Sequence, residues 1–118
     1  MKVLLALALA ASLSACALGA HPTTAASVAV AADRAAHAET AYADAAEFAT
    51  ITAPALKPAD ATSAAALDRK AFTALSVARL TYPADSAMVA ADRARLADAI
   101  ARSNTAHDAL QSALAQPG

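Results

Sequence analysis

Ile51-Thr52-Ala53-Pro54-Ala55-Leu56-Lys57-Pro58 is the stretch that decides the fold. A residue that precedes proline avoids helical geometry, and proline itself has no N–H to give an α-helix interior. A helix running into this segment must therefore stop near Ile51–Ala53. Ala53–Pro58 reads as the linker, and the next helix begins after it, at about Asp60 or Thr62. On both sides the chain is rich in alanine, the strongest helix former. Tyr82-Pro83-Ala84-Asp85 makes a second break of the same kind. Three helices are predicted, at about 25–50, 60–80 and 85–115.

Each segment carries a cap and a stripe. Thr23 or Thr24 can N-cap the first, Asp60, Thr62 or Ser63 the second, and Asp85 or Ser86 the third. Ala38, Tyr42, Ala45 and Ala49 recur at helical spacing. So do Ala64, Leu67, Ala71, Ala74/Leu75, Ala78 and Tyr82. Val89, Leu96, Ile100, Ser103, His107, Leu110 and Leu114 follow a heptad-like seam. Short connections favour antiparallel neighbours. The expected fold is all-α, a small antiparallel three-helix bundle whose alanine seams let helices approach at the low end of the usual ~8–10 Å. Asp98 and Arg102 are expected to form an i,i+4 pair.

Composition sets the scale of the core. Alanine is roughly a third of the chain, several times its usual share. The 58% hydrophobic fraction therefore overstates the buried area, and aromatics are 3%: Tyr42, Phe48, Phe72 and Tyr82. The few large side chains are expected to act as plugs. The net charge is -1, of which Lys2 supplies one of the positive charges. With no basic patch, nucleic acid is excluded as a partner.

The N-terminus reads as an export signal. Lys2 is followed by Val3–Leu13, apolar apart from Ser12, and then by small residues. This run is too short for a membrane span, which needs roughly 20 apolar residues. Leu13-Ser14-Ala15-Cys16 resembles the lipobox of bacterial lipoprotein precursors, with the chain's single cysteine at the acylated position. That resemblance implies a signal peptide at 1–15, lipidation of Cys16, a tether at 16–22 and a helical domain at 23–118. With Ala17 rather than Asp after the cysteine, it also implies the periplasmic face of the outer membrane. The competing reading is cleavage before Leu18 at a small-x-small site, which would give a soluble periplasmic protein.

Ala38-Glu39-Thr40-Ala41-Tyr42, Ala66-Leu67-Asp68-Arg69-Lys70-Ala71-Phe72-Thr73-Ala74 and Ala78-Arg79-Leu80-Thr81-Tyr82 resemble a group of small alanine-rich helical proteins of alphaproteobacteria. The resemblance implies an architecture and no activity. Val30-Ala31-Ala32-Asp33-Arg34-Ala35 also echoes Val89-Ala90-Ala91-Asp92-Arg93-Ala94. Biased composition accounts for most of that match.

Catalytic signatures are not apparent. His21 falls in the tether. His37 shares a helix face with Asp33, which is too little to close a zinc site. His107 lies on the third helix's seam, where a half-buried histidine at the rim of the core is expected. Ser76 and Ser103 lie in helices without a neighbouring base. The ten carboxylates are read as solvated surface charge. No enzyme, cofactor, metal or small-molecule substrate is expected. The expected role is a lipid-anchored envelope protein, structural or protein-interacting, bound to the membrane through Cys16 and contacting an envelope partner or a second copy. Two alternatives remain. One is a soluble periplasmic binding or chaperone-like module, with Phe72, Leu75 and Leu80 lining an apolar groove. The other is a phage-lysis-associated small lipoprotein.

Overall fold

A computed structural model of the chain describes residues 24–116. Three α-helices account for most of them: α1 (Ala25–Thr52), α2 (Pro58–Arg79) and α3 (Ala90–Ala115). Short 3-10 turns at Ala53–Ala55 and Asp85–Ala87 lie between them. The all-α three-helix bundle is as expected. Cys16 and the rest of the lipobox lie outside the described residues, as does His21.

The helix starts follow local chemistry, with two departures from expectation. Thr24 caps α1: its Oγ1 accepts from the Ser27 N–H at 3.1 Å, and Ser27 Oγ accepts from the Thr24 N–H at 3.0 Å. This is a capping box in which serine takes the usual Glu position. α2 starts earlier than its cap candidates, at Pro58, whose fixed φ suits the first helical position. Lys57 before it is extended and gives no side-chain cap. Asp60 instead sits in the first turn, where a carboxylate favours the helix dipole. α3 starts later than expected. Asp85 heads a separate 3-10 turn, and Met88 and Val89 are extended before the helix begins at Ala90. The extra turn sends Met88, 6% exposed, into the core. Arg93 Nη1 holds the connection by donating to the carbonyls of Asp85 at 3.0 Å and Met88 at 3.4 Å.

Side-chain contacts give the directions. Asp33 meets Arg95, the Glu39 carbonyl meets Ser103, and Tyr42 meets His107, so α1 and α3 run parallel. Glu39 meets Arg79 and Tyr42 meets Asp68, so α2 runs against them. The chain goes up, down and up.

The α1–α3 seam is built from small residues. Ala32, Ala35, Ala36, Ala43, Ala46 and Ala49 are buried on α1, facing Ala99, Ser103 and Ala106 on α3. Ser103 Oγ donates to the Glu39 carbonyl across the seam at 2.8 Å. A serine side chain reaches a neighbouring backbone only where no larger residue holds the helices apart. Larger side chains fill the space toward α2: Tyr42, Leu75 and Leu110 are fully buried, with Phe72 packed against them.

Two apolar clusters result. One runs from Ala38 and Tyr42 toward Leu114 at the Pro54 end. The other holds Val28, Ala32, Met88 and Leu96 at the end where α1 begins. Val89 is 66% exposed and leaves the predicted seam. Arg102 does not serve an i,i+4 pair with Asp98. It reaches α1, donating to Glu47 at 2.7 and 2.8 Å and to Asp44 at 2.5 Å.

Candidate functional site

Two carboxylates expected at the surface are fully buried: Glu39 and Asp68, each 0% exposed. Both lie in phase with an apolar stripe. Glu39 is four residues after Ala35 and three before Tyr42. Asp68 is four after Ala64 and three before Ala71. Helical periodicity turns both toward the core, so the reading of all ten carboxylates as solvated is corrected for these two. An unpaired charge there would be expensive, and the fold gives each a full set of donors.

Asp68 gathers side chains from α1 and α3. Tyr42 Oη donates to its Oδ1 at 2.5 Å. Its Oδ2 lies 2.7 Å from both His107 Nδ1 and Gln111 Nε2. Gln111 Nε2 also donates to the Ala65 carbonyl at 3.0 Å. An ionised carboxylate only accepts, so it fixes the proton of His107 on Nδ1. His107 is half-buried as expected, with 19% of its side chain exposed. Its role is larger than that of a rim residue, because it bonds the buried acid directly.

Glu39 forms the second centre. Arg79 grips it in bidentate fashion, Nη2 to Oε1 at 2.7 Å and Nε to Oε2 at 3.0 Å. Tyr82 Oη adds a bond to Oε2 at 2.7 Å. Bidentate guanidinium pairing is the strongest of the charge-assisted geometries.

Phe72 stands between the two centres. Its ring stacks on His107, packs tilted against Tyr42 and carries the Arg79 guanidinium 5.2 Å from its centroid. Among the described residues no buried side-chain nitrogen or oxygen lacks a partner. Burial pushes both tyrosine hydroxyls far above the usual range. Asp68 adds to this at Tyr42, and Glu39 at Tyr82.

Chemically, Nδ1–H bonded to a carboxylate orients an imidazole and leaves its Nε2 as the remaining base. Among the described residues no hydroxyl hydrogen-bonds that atom. Nor do the other sequence candidates assemble into a centre. Asp33 is taken by Arg95 at 2.9 Å. His37 lies beside that pair in an open cleft of about 310 Å³ with Thr40, Asp98 and Arg102. No group of three or more His, Cys, Asp or Glu side chains among the described residues is placed to hold a metal. Ser76 Oγ donates to the Phe72 carbonyl at 2.9 Å, and Ser103 is tied to Glu39. Of the three residues expected to line an apolar groove, Leu75 is fully buried and Phe72 is stacked inside. Leu80 is 78% exposed.

The residues carrying the alanine-rich resemblance converge here: Glu39, Tyr42, Asp68, Phe72, Arg79 and Tyr82 form the polar interior. The stripe phase of Glu39 and Asp68 was the signal that could have located it. No family model, curated protein or solved structure matches the chain.

Proposed function

We propose that this is a lipid-anchored envelope protein whose helical domain is a scaffold for contacts rather than a site of chemistry, held at the periplasmic face of the outer membrane. The observation that carries the reading is Leu13-Ser14-Ala15-Cys16, with the only cysteine at the acylated position and seven residues between it and Thr24, the cap of α1. Several acyl chains on one cysteine hold a protein stably, where a single chain binds only marginally. The described domain suits this role. Its carboxylate centres are bonded by internal donors, and its surface carries side chains of both charges. None of its helices is long and apolar enough to cross a membrane, so Cys16 would be the attachment.

Intact mass of the membrane-fraction protein, wild type against Cys16→Ser, tests this. A chain beginning at Cys16 with acyl mass, lost in the variant, is the expected result. An unmodified chain beginning at Leu18 would overturn it and leave the soluble periplasmic reading.

A further inference from the structure

We propose that the end of the bundle where α1 begins is a lipid-contacting face, carried by Val30, Val77, Leu80 and Val89 and seated on the bilayer that holds Cys16; this rests on the anchoring reading above. These four side chains are 51%, 47%, 78% and 66% exposed. The up-down-up topology brings them to one end. Val30 lies in the second turn of α1, Val77 in the last turn of α2 near the level of the Glu39–Arg79 pair, Leu80 just after α2, and Val89 immediately before α3. Val30 and Val77 thus come from α1 and α2, and Leu80 and Val89 from the connection between α2 and α3. At the opposite end, the large apolar side chains exposed among the described residues are Phe48 and Ile51, both from α1.

The tether keeps the end where α1 begins near the bilayer. From Cys16 to Thr24 is eight residue steps, at most about 3.6 Å each, so the reach stays under about 30 Å. α1 alone, at 28 residues, is about 42 Å long. The end where α1 begins is therefore held closer to the bilayer than the bundle is long. An intramolecular contact of this kind benefits from an effective concentration in the ~mM range, so a few apolar side chains suffice to orient the domain.

The test uses the full acylated chain in phosphatidylethanolamine–phosphatidylglycerol vesicles containing a headgroup spin-labelled lipid. An environment-sensitive fluorophore is attached in turn to Leu80→Cys, Val89→Cys and Ile51→Cys, all exposed positions. Quenching several-fold stronger at 80 and 89 than at 51 is expected. Equal quenching at the three sites, on protein whose mass carries the acyl chains, would overturn the lipid face and leave the anchor intact. Protein without acyl mass would overturn the anchor and this face with it.

Discussion

The Phe72 ring lies flat on the His107 imidazole, centroids 3.9 Å apart with 5° between the planes. Through Phe72 the two buried carboxylates are mechanically linked, because the same ring also carries the Arg79 guanidinium that neutralises Glu39. A shift of α2 against α1 would disturb Asp68 and Glu39 together. Replacing the ring with an aliphatic group keeps apolar volume but removes stacking and cation–π attraction, each worth roughly 0.5–1.5 kcal/mol. Phe72→Leu should lower unfolding stability by about 1–2 kcal/mol in urea titrations followed by far-ultraviolet circular dichroism. In that background, Glu39→Gln and Asp68→Asn should add independently, whereas in the wild type they should couple. Additivity in both backgrounds would sever the proposed link.

Asp68 and Arg102 make a contrasting pair of substitutions. Asp68→Ala strands the Tyr42 hydroxyl and the side-chain donors of His107 and Gln111 in a buried site. Leaving a buried donor without its acceptor costs about 1–3 kcal/mol per group. Arg102 bonds two carboxylates, and Glu47 followed by Asp44 hold it charged, yet its side chain is 40% exposed. Solvent screening limits such pairs to less than about 1 kcal/mol. Urea midpoints should therefore fall steeply for Asp68→Ala and barely move for Arg102→Ala. Similar losses in the two variants would mean that burial does not separate their roles.

Alkaline pH probes the same interior. Tyr42 and Tyr82 are the only tyrosines and there is no tryptophan. Burial, then their hydrogen bonds to Asp68 and Glu39, keep both protonated in the folded state far above the usual value. The unfolded chain releases these protons near pH 10. The native state then binds more protons than the unfolded one, so stability declines with rising pH. This contribution is complete below about pH 10 and is lost progressively above it. Tyrosinate absorbance should rise in one cooperative step that coincides with loss of helix. A gradual rise with the helices intact would contradict the burial.

How much of this was legible in the sequence differs by level. Pro54, Pro58 and Pro83 broke the chain where the structure breaks it, because proline constrains the backbone locally. The start of α3 was not legible. Asp85 and Ser86 are good caps in isolation, but seating Met88 in the core requires extended backbone at Met88 and Val89. The buried centres were half visible. Tyr42 was read on an apolar stripe, while Glu39 and Asp68 were assigned to solvent because a carboxylate is mostly exposed unless paired. Their partners, Arg79 and Tyr82 for one and His107 and Gln111 for the other, lie 39 to 43 residues away in sequence. No local pattern announces pairings at that separation.

The repeated hexapeptide shows how far local sequence falls short of tertiary role. Ala32 in Val30–Ala35 is fully buried at the α1–α3 seam, while its counterpart Ala91 in Val89–Ala94 faces solvent. Identical neighbours thus sit in opposite environments, because α1 and α3 present different faces to each other. The seam is held close by small side chains, so a larger one at position 32 must push the helices apart or take a strained rotamer. Overpacking of this kind costs about 1–3 kcal/mol. At position 91 a leucine meets only water and keeps good helix propensity, so the change should stay within about 0.5 kcal/mol. Thermal unfolding of Ala32→Leu and Ala91→Leu compares the two directly. A marked drop for the first with little change for the second is expected, and equal effects would mean that the two copies occupy equivalent places in the bundle.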